Sequence, residues 1–262
     1  MADRGAEGPY THTGYSDATS VRVRGKDLIN ELVGHCSFTE MLYFLTCGRM
    51  PQAGQVRVLD ACLVTLMEHG LTPSAVIARL MADSVPEEPQ VAVASGLLAI
   101  GSVFAGTTEN CARLLLEIEA AAPAEELEQA METRVARLRG QRLPAPGFGH
   151  ATHKPDDPRT PRLLQVAREA GQAGRYVALL EQLGGVVDRV YGRHLTINAT
   201  GAMGALFLEI GIPVEAMRCY SVVSRAGGLV GHLLEERAVP SARMIWRMSK
   251  QAVPYREPPE SV

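Results

Sequence analysis

Residues 146–159 hold the densest group of side chains in this sequence that could do chemistry. They read Pro-Gly-Phe-Gly-His-Ala-Thr-His-Lys-Pro-Asp-Asp-Pro-Arg, which places two histidines, a lysine, two aspartates and an arginine in one stretch. Histidine changes its charge near neutral pH, and arginine binds carboxylates through paired N–H groups. Its prolines exclude a helix interior or a strand, and Gly-Phe-Gly favours ordered backbone, so we predict a functional loop here.

Two other interpretations of this loop stay open from the residues alone. The first is an ordinary surface loop with solvated charges, because loops are often polar. The second is a metal site in which His150, His153 and Asp156 act as ligands. A zinc site usually needs a fourth ligand, and no cysteine pair or other histidine cluster supplies one, so we predict no metal.

The composition limits the class of protein. The chain has 262 residues, of which 46% are hydrophobic, 21% charged and 5% aromatic, with a net charge of −3. These values are typical of a soluble globular protein with an aliphatic, helical core. Nothing in this charge balance predicts nucleic acid or an anionic membrane surface as a partner.

The cysteines and the first residues indicate a compartment. Five cysteines occur without a Cys-x-x-Cys spacing, and an odd number does not favour a disulfide framework. The first residues lack the apolar segment of a secretory signal, and no apolar run reaches the length of a membrane span. We therefore expect a cytoplasmic protein with no membrane partner.

Helical periodicity dominates the chain, which predicts an all-α fold with almost no sheet. Ser37 and Glu40 form a Ser-x-x-Glu capping box, and Gly48 follows as a helix end. The segment 91–100 is apolar nearly all round, so we predict that it is buried. The segment 196–210 is helix-prone and dense in small residues, and 214–232 is an apolar helix that contains Arg225.

The loop motif resembles a known signature. Gly147-Phe-Gly-His150, followed by Lys154 and Asp157-Pro-Arg159, resembles the loop of the citrate synthase superfamily. Four more segments are similar to family motifs in the same order: Glu68-His69-Gly70, Ser95 to Gly106, Asn198-Ala-Thr-Gly201, and Ser224-Arg225 to His232. The resemblance covers roughly residues 20–250. It is strongest to the citryl-CoA lyase module at the C-terminus of ATP-citrate lyase, because the extra N-terminal region of citrate synthase is missing.

The resemblance implies roles for six residues. His150 corresponds to the group at the hydroxyl or ketone oxygen, and Arg159 and Arg225 to the arginines that bind substrate carboxylates. His69 corresponds to a further substrate-binding histidine, although a histidine at a helix C-terminus is equally compatible with the residues. For Arg225 the alternative is a structural ion pair. Lys154 corresponds to a residue facing the phosphates of coenzyme A, and Arg243 to an arginine that reaches across a dimer.

Two family positions carry different residues here. The carboxylate that moves the proton at the acetyl carbon falls on Thr200, whose hydroxyl is a far weaker acid or base. The enol-stabilising histidine falls on Phe104, as in the lyase module, and phenylalanine has no donor for an oxyanion. Glu109 follows this turn and is a speculative substitute for the missing carboxylate.

The resemblance also implies an activity and an architecture. We expect a citryl-CoA lyase-like enzyme that cleaves a 3-hydroxy-3-carboxyl acyl-CoA to a 2-oxoacid such as oxaloacetate and acetyl-CoA. Its ligands would be acyl-CoA and di- or tricarboxylic acids, with coenzyme A as part of the substrate and no covalently bound cofactor. A condensing enzyme for another acyl-CoA and a non-catalytic binder of coenzyme A or carboxylates remain alternatives.

The expected architecture has two helical domains. Residues 1–20 would be a flexible arm, 21–106 and 198–262 a large domain, and 107–197 a smaller inserted domain that carries the Gly-Phe-Gly-His loop. A cleft between the domains would hold the substrate. We expect a homodimer packed through the small-residue segments 91–106 and 199–205.

Overall fold

The computed structural model describes residues 8–101, 106–121 and 123–258 of the chain. Within these ranges the chain is mainly helical, and the all-α prediction is confirmed. Three short strands come first: β1 Gly14–Ser16, β2 Val21–Val23 and β3 Lys26–Asp27. The α-helices follow in this order: α1 Phe38–Cys47, α2 Ala53–Met67, α3 Pro73–Ser84, α4 Pro89–Leu98, α5 Thr107–Ala121, α6 Leu127–Gly140, α7 Arg159–Glu169, α8 Arg175–Tyr191, α9 Ala199–Glu209, α10 Val214–Ala238 and α11 Ala242–Ala252.

The strands form a small antiparallel sheet in the order β1-β2-β3. Tyr15 pairs with Arg22, so residues 14–16 are paired within the stretch predicted to be a flexible arm. Asp27 then begins a single π-helical turn, Leu28–Leu32, and its carboxylate accepts the amides of Ile29 and Asn30. The sheet is small because turn residues interrupt the only alternating segment of the chain after a few positions.

Local signals in the sequence set the helix ends. The predicted capping box of α1 is present, since Ser37 Oγ accepts the Glu40 amide while the Glu40 side chain accepts the Ser37 amide. Gly48 ends α1 in the left-handed conformation, which glycine adopts without steric cost. Pro73 begins α3 at a first-turn position, where its missing N–H leaves no intrahelical bond unmade.

Helix α9 lies at the centre of the hydrophobic core. Ala202, Met203, Leu206 and Phe207 are fully buried among α1, α2, α7 and α10, while Ala205 joins a second cluster formed by α5, α6 and α8. The small residues of 199–205 therefore allow close packing inside one protomer. The expectation that this segment lies on a dimer surface is wrong.

Helix α4 differs from its prediction as well. Ala92 and Gly96 pack against α3 and α10, but Leu98 is 87% exposed and Val91 is 38% exposed. The segment is apolar all round, yet a single protomer covers only one of its faces. The prediction that it is buried is wrong for the isolated chain.

The division into two domains stays a prediction. Helices α5 to α8 belong to the predicted inserted domain, and α9 belongs to the predicted large domain. The two hydrophobic clusters meet at α9, because Ala202 lies in one and Ala205 in the other. Within the described residues, no helix combines the length and the apolar character needed to cross a membrane.

Candidate functional site

The Gly-Phe-Gly-His loop is held in place mainly by its backbone. The Gly149 amide donates to the Thr196 carbonyl at 2.7 Å, and the Asn198 amide donates to the Gly147 carbonyl at 3.0 Å. The Asn198 side chain adds a hydrogen bond to the Gly149 carbonyl at 2.8 Å. Phe148 anchors the loop, because its ring is buried in a hydrophobic cluster with side chains of α5 and α8. His150 therefore extends from an ordered loop.

Two glycines allow this loop to contact the start of α9. Gly147 has a φ of +88°, and a Cβ atom there would lie 2.6 Å from Cys111 Sγ. A Cβ atom on Gly201 would lie 2.4 Å from the Gly147 carbonyl oxygen. Only glycine fits both positions, so the backbone of the loop lies directly on the first turn of α9.

The protonation of His150 follows from its neighbours. Its Nδ1 accepts the amides of Thr152 at 3.1 Å and His153 at 3.0 Å, so in the neutral ring the proton sits on Nε2. Burial, the adjacent His153 ring and the charge of Arg159 lower the pKa of His150. His150 therefore presents a neutral Nε2–H donor, with Arg159 Nη2 3.4 Å away.

Arg159 is held by a buried carboxylate. Its Nε and Nη2 lie 2.9 and 2.8 Å from the two oxygens of Asp157, which is fully buried. Asp157 also accepts the Ala199 amide at the start of α9. Burial alone would raise the pKa of Asp157, but the hydrogen bonds from Arg159 and Ala199 outweigh it and hold the pKa at about 2. Asp157 thus orients Arg159 beside His150.

The same loop brings together three side chains that could bind a metal. Ligand atoms of His150, His153 and Asp157 lie within 4.8 Å of one another. Asp157 replaces the Asp156 considered from the sequence, because Asp156 contacts His194 instead. However, His150 Nδ1 accepts two amides and the Asp157 carboxylate is paired with Arg159, a cation that would repel a second cation. This group does not favour metal binding.

A cleft with a cavity volume of about 180 Å³ lies between α3, α5, α9 and α10. Arg225 and His69 supply its charged and titratable groups, and Thr108, Thr200 and Ser221 supply hydroxyls. The apolar side chains of Leu66, Pro73 and Ile100 complete the wall. The predicted residues His69, Arg225 and Thr200 therefore line one cavity although they come from three separate segments.

Arg225 is almost fully buried at this cleft. Its Nη2 contacts Nδ1 of His69, and its Nη1 lies 3.3 Å from Glu68 Oε2. Burial lowers the pKa of Arg225, and Glu68 raises it in compensation. Both interpretations of Arg225 therefore apply, since it has a carboxylate partner within the protein and also faces the cleft.

His69 lies at the rim of the cleft, two residues beyond the end of α2. Desolvation and the charges of Arg225 and Arg159 lower the pKa of His69 to about 4. His150 also contributes to this shift, which indicates that His69, His150, Arg159 and Arg225 share one electrostatic environment. At neutral pH the site therefore combines two neutral histidines with two guanidinium groups.

Of the two positions that differ from the family pattern, the structure describes Thr200 but not Phe104. Thr200 donates its hydroxyl to Asn198 Oδ1 at 2.7 Å, as expected for a group at the capped start of α9. Thr108 is buried beside the cleft, and its hydroxyl has no hydrogen-bond partner in the described parts of the chain. Phe104 lies outside the described residues.

The structure gives no support for Glu109 as a substitute for the missing carboxylate. Glu109 is not among the residues that line the cleft, and its two oxygens lie 3.2 and 3.1 Å from Arg113 and Arg218. Two guanidinium groups therefore engage both of its oxygens.

The remaining predicted residues lie at the surface. Lys154 is exposed on the loop, four residues after His150. Arg243 on α11 is also exposed, and its Nε lies 3.2 Å from Asp83 at the end of α3. Neither position conflicts with a role in binding coenzyme A or in contacting a partner copy, and both roles stay predictions.

Sequence reasoning missed Glu68 and gave Asp157 no role. Glu68 precedes His69 in the Glu-His-Gly segment, and Asp157 precedes Pro158 and Arg159 in the loop. Both residues lie within segments that resemble family motifs. A carboxylate within two residues of a predicted substrate-binding histidine or arginine was the available signal, because such a cation needs a counter-charge when it is buried.

Solved structures with the same fold include lyases. The citryl-CoA lyase from Hydrogenobacter thermophilus matches 97% of this chain and 96% of its own, with 29% identity and a TM-score of 0.83. The ATP citrate lyase from Methanosaeta concilii, solved with (3S)-citryl-CoA, matches 98% of this chain and 43% of its own, with 19% identity and a TM-score of 0.78. The second match shows a common fold only.

Sequence comparison gives the family. A citrate synthase from Haloferax volcanii is 27% identical over 220 residues, which are 81% of this chain and 55% of that protein. This chain thus spans about half the length of that curated relative. The profile for the C-terminal domain of citrate synthase matches residues 49–249. Since this match covers most of the chain, the protein belongs to the citrate synthase family.

Proposed function

We propose that this protein cleaves citryl-CoA, or a closely related 3-hydroxy-3-carboxyl acyl-CoA, to oxaloacetate or a similar 2-oxoacid and acetyl-CoA. The observation that carries the proposal is a pair of contacts between an arginine and a histidine, Arg225 with His69 at the cleft and Arg159 with His150 on the loop. A substrate with several carboxylates needs fixed guanidinium groups, because paired N–H donors set its orientation as well as balance its charge. The similarity to a citryl-CoA lyase over nearly the whole of both chains supports the same activity.

His150 acts on the oxygen that changes from alcohol to ketone. During cleavage the bond between the hydroxyl-bearing carbon and the thioester's α-carbon breaks, and its electron pair forms the enolate of acetyl-CoA. The alcohol oxygen loses its proton, and one proton reaches the enolate carbon, so the atoms balance without another reactant. The Nε2–H of His150 and the nearby Arg159 stabilise the negative charge that develops on the alcohol oxygen before the bond breaks.

At the acetyl end Thr200 stands where the family has a carboxylate, and its hydroxyl is too weak a base to take a proton from the methyl group of acetyl-CoA. A catalyst accelerates cleavage and condensation equally, so this difference does not set the direction, and the enolate that cleavage forms can take its proton from water. The similarity to a citryl-CoA lyase favours a lyase, and a condensing enzyme for another acyl-CoA is the weaker alternative.

Coenzyme A enters as part of the substrate. Lys154 is exposed on the same loop as His150, and an ammonium group at such a place attracts the phosphates of coenzyme A. We also propose a homodimer. Its interface would include the uncovered face of α4, where Leu98 and Val91 are exposed.

Calorimetric titration tests the binding half of this proposal. Coenzyme A is titrated first, and oxaloacetate and citrate are titrated in its presence. The proposal predicts that coenzyme A and oxaloacetate both bind, and that Arg225→Ala loses oxaloacetate but keeps coenzyme A. Binding of coenzyme A without any di- or tricarboxylate would mean that the acid subsite serves another compound, and binding of neither would favour a degenerate relative.

A further inference from the structure

A chain of polar side chains runs from the cleft along one face of α10. Arg225, His232 and Glu236 lie at helical spacing on this face, and all three are buried. Glu68 lies between Arg225 and His232, with its Oε2 atom 3.3 Å from Arg225 Nη1 and 2.9 Å from His232 Nε2. Arg79 of α3 contacts the far side of His232. We call Arg79, His232, Glu68 and Arg225 the polar chain.

The donors and acceptors of the polar chain have one consistent direction. Arg79 Nε donates to His232 Nδ1 at 3.0 Å, so the neutral ring of His232 carries its proton on Nε2 and presents it to Glu68. Nε2 is buried and makes a close polar contact with Glu68 Oε2, but it has no hydrogen-bond partner among the described residues. His232 therefore serves Glu68 alone on this side.

Arg79 is fixed independently of the cleft. It is 4% exposed, and its guanidinium group pairs with Glu235 and, at 3.0 Å, with Glu236. Glu236 also accepts the amides of Ser241 and Ala242 at the start of α11. The outer end of the polar chain is thus tied to helices α3, α10 and α11, which gives His232 a rigid support.

Close packing brings Glu68 to this face. A Cβ atom on Gly228 would lie 1.9 Å from the Met67 carbonyl oxygen, so only glycine lets the end of α2 lie directly on α10. Glu68 Oε1 also accepts the amide of His69 at 2.9 Å, and it accepts the amide of Gly70. The carboxylate therefore stays in place through contacts that do not depend on Arg225.

We propose that Glu68, supported by His232, is a positioning residue that orients Arg225 and His69 towards a carboxylate of the substrate. Glu68 occupies one edge of the Arg225 guanidinium and fixes the backbone of His69, Arg225 Nη2 contacts the His69 ring, and both residues line the cleft. The inference rests on the proposed function, because it assumes that the cleft binds a carboxylate. It assigns His232 to the support of the binding site.

Paired substitutions of His232 test this inference through binding. Glutamine at position 232 can accept from Arg79 through its oxygen and donate to Glu68 through its nitrogen, whereas leucine can do neither. The binding constants of oxaloacetate and coenzyme A are measured by calorimetry on the full chain. His232→Leu is expected to weaken oxaloacetate binding about ten-fold or more, because hydrogen bonds to charged groups are involved. His232→Gln should stay within about three-fold of the wild type.

Coenzyme A and a second histidine provide the controls. Binding of coenzyme A should change less than about two-fold in both variants, since a general loss of folding would weaken both ligands. His35→Leu makes the same chemical change at an exposed turn and should leave both binding constants unchanged. If His232→Leu does not fold, Glu68→Ala carries the test, because the Glu68 side chain is 43% exposed and water can fill its place.

The outcomes separate this inference from the proposed function. Oxaloacetate binding by His232→Leu or Glu68→Ala that equals the wild type would overturn the inference and leave the proposed function standing. Equal losses in His232→Leu and His232→Gln would also overturn it, because packing and not the hydrogen bonds would then be responsible. A wild-type protein that binds coenzyme A but no dicarboxylate would overturn both.

Discussion

At His150, two backbone amides decide which ring nitrogen carries the proton. The motif predicted that this histidine meets the oxygen of the substrate, and the structure adds that its Nδ1 is occupied by the amides of Thr152 and His153. This detail could not be derived from the sequence, because it depends on the path of the loop after His150. It turns a general prediction of histidine chemistry into a specific one, a neutral donor at Nε2.

Replacing His150 by asparagine tests this assignment. The asparagine oxygen lies near the position of Nδ1 and can accept the same two amides, but nothing replaces the Nε2–H donor. We expect the thermal unfolding midpoint to change little and turnover of citryl-CoA to fall by about 100-fold or more. His150→Ala should lose both turnover and loop order, and equal turnover by His150→Asn and the wild type would contradict the assignment.

Asp157 gives a prediction for stability and pH. Its folded pKa of about 2 lies below the ordinary aspartate value of 3.8, so its stabilisation is present above pH 3.8 and is lost as the pH falls through about 2. The difference corresponds to about 2 kcal/mol. We expect Asp157→Asn to lower the free energy of unfolding by about 2–3 kcal/mol at pH 7, because Arg159 also loses its partner.

Urea unfolding at pH 7 and pH 3 checks this prediction. The difference between the wild type and Asp157→Asn should be smaller at pH 3, since the carboxyl group is then mostly protonated in the unfolded wild type but still mostly ionised in the folded protein. A difference that is constant or grows as the pH falls would show that Asp157 is not the stabilising charge.

The contact between α9 and the Gly-Phe-Gly-His loop is the most important contact between elements for the position of His150. The small residues of this segment were visible in the sequence, but they were assigned to a dimer surface, although α9 is buried inside the protomer. Glycine density shows that a backbone is approached closely, and it does not identify the partner. The partner of Gly201 is Gly147, more than fifty residues earlier in the chain.

Gly201→Ala tests this contact. The added methyl group would lie 2.4 Å from the Gly147 carbonyl oxygen, which is backbone and cannot rotate away. We expect a loss of about 1–3 kcal/mol in stability and a larger relative loss of turnover, because His150 would be displaced. Gly140→Ala on α6 is the matched control, since no atom lies within 4 Å of its added Cβ, and it should be neutral or slightly stabilising. Equal effects of the two substitutions would contradict the proposed contact.

Over the whole molecule, the sequence predicted the fold better than it predicted which helix faces are buried. The order of the five motifs was sufficient for the family, which the profile match over residues 49–249 confirms. The pattern of apolar residues did not predict the exposure of α4 correctly. The helix is apolar on all sides, which predicted burial, but Leu98 is 87% exposed. A helix of this kind is typical of a surface that a partner covers, and one sequence does not say whether the cover is the same chain or another copy.

The proposed dimer gives a prediction for the whole molecule. Analytical ultracentrifugation should show the wild type at twice the chain mass of 28.2 kDa. Leu98→Asp should shift it towards the monomer, because a charge on an apolar interface must be desolvated. Leu143→Asp places the same charge at an exposed apolar position outside α4 and should keep the dimer. A wild type at monomer mass would contradict the proposal.

Incubation of the purified protein with citryl-CoA, with oxaloacetate and acetyl-CoA followed over time, tests the central claim most directly. We predict that the wild type releases both products in equal amounts. His150→Asn, folded to the same degree, should release them at a rate at least about 100-fold lower. Product formation by the wild type at the rate of the solution without protein would contradict the claim. Equal rates for the wild type and His150→Asn would show that His150 takes no part in the cleavage.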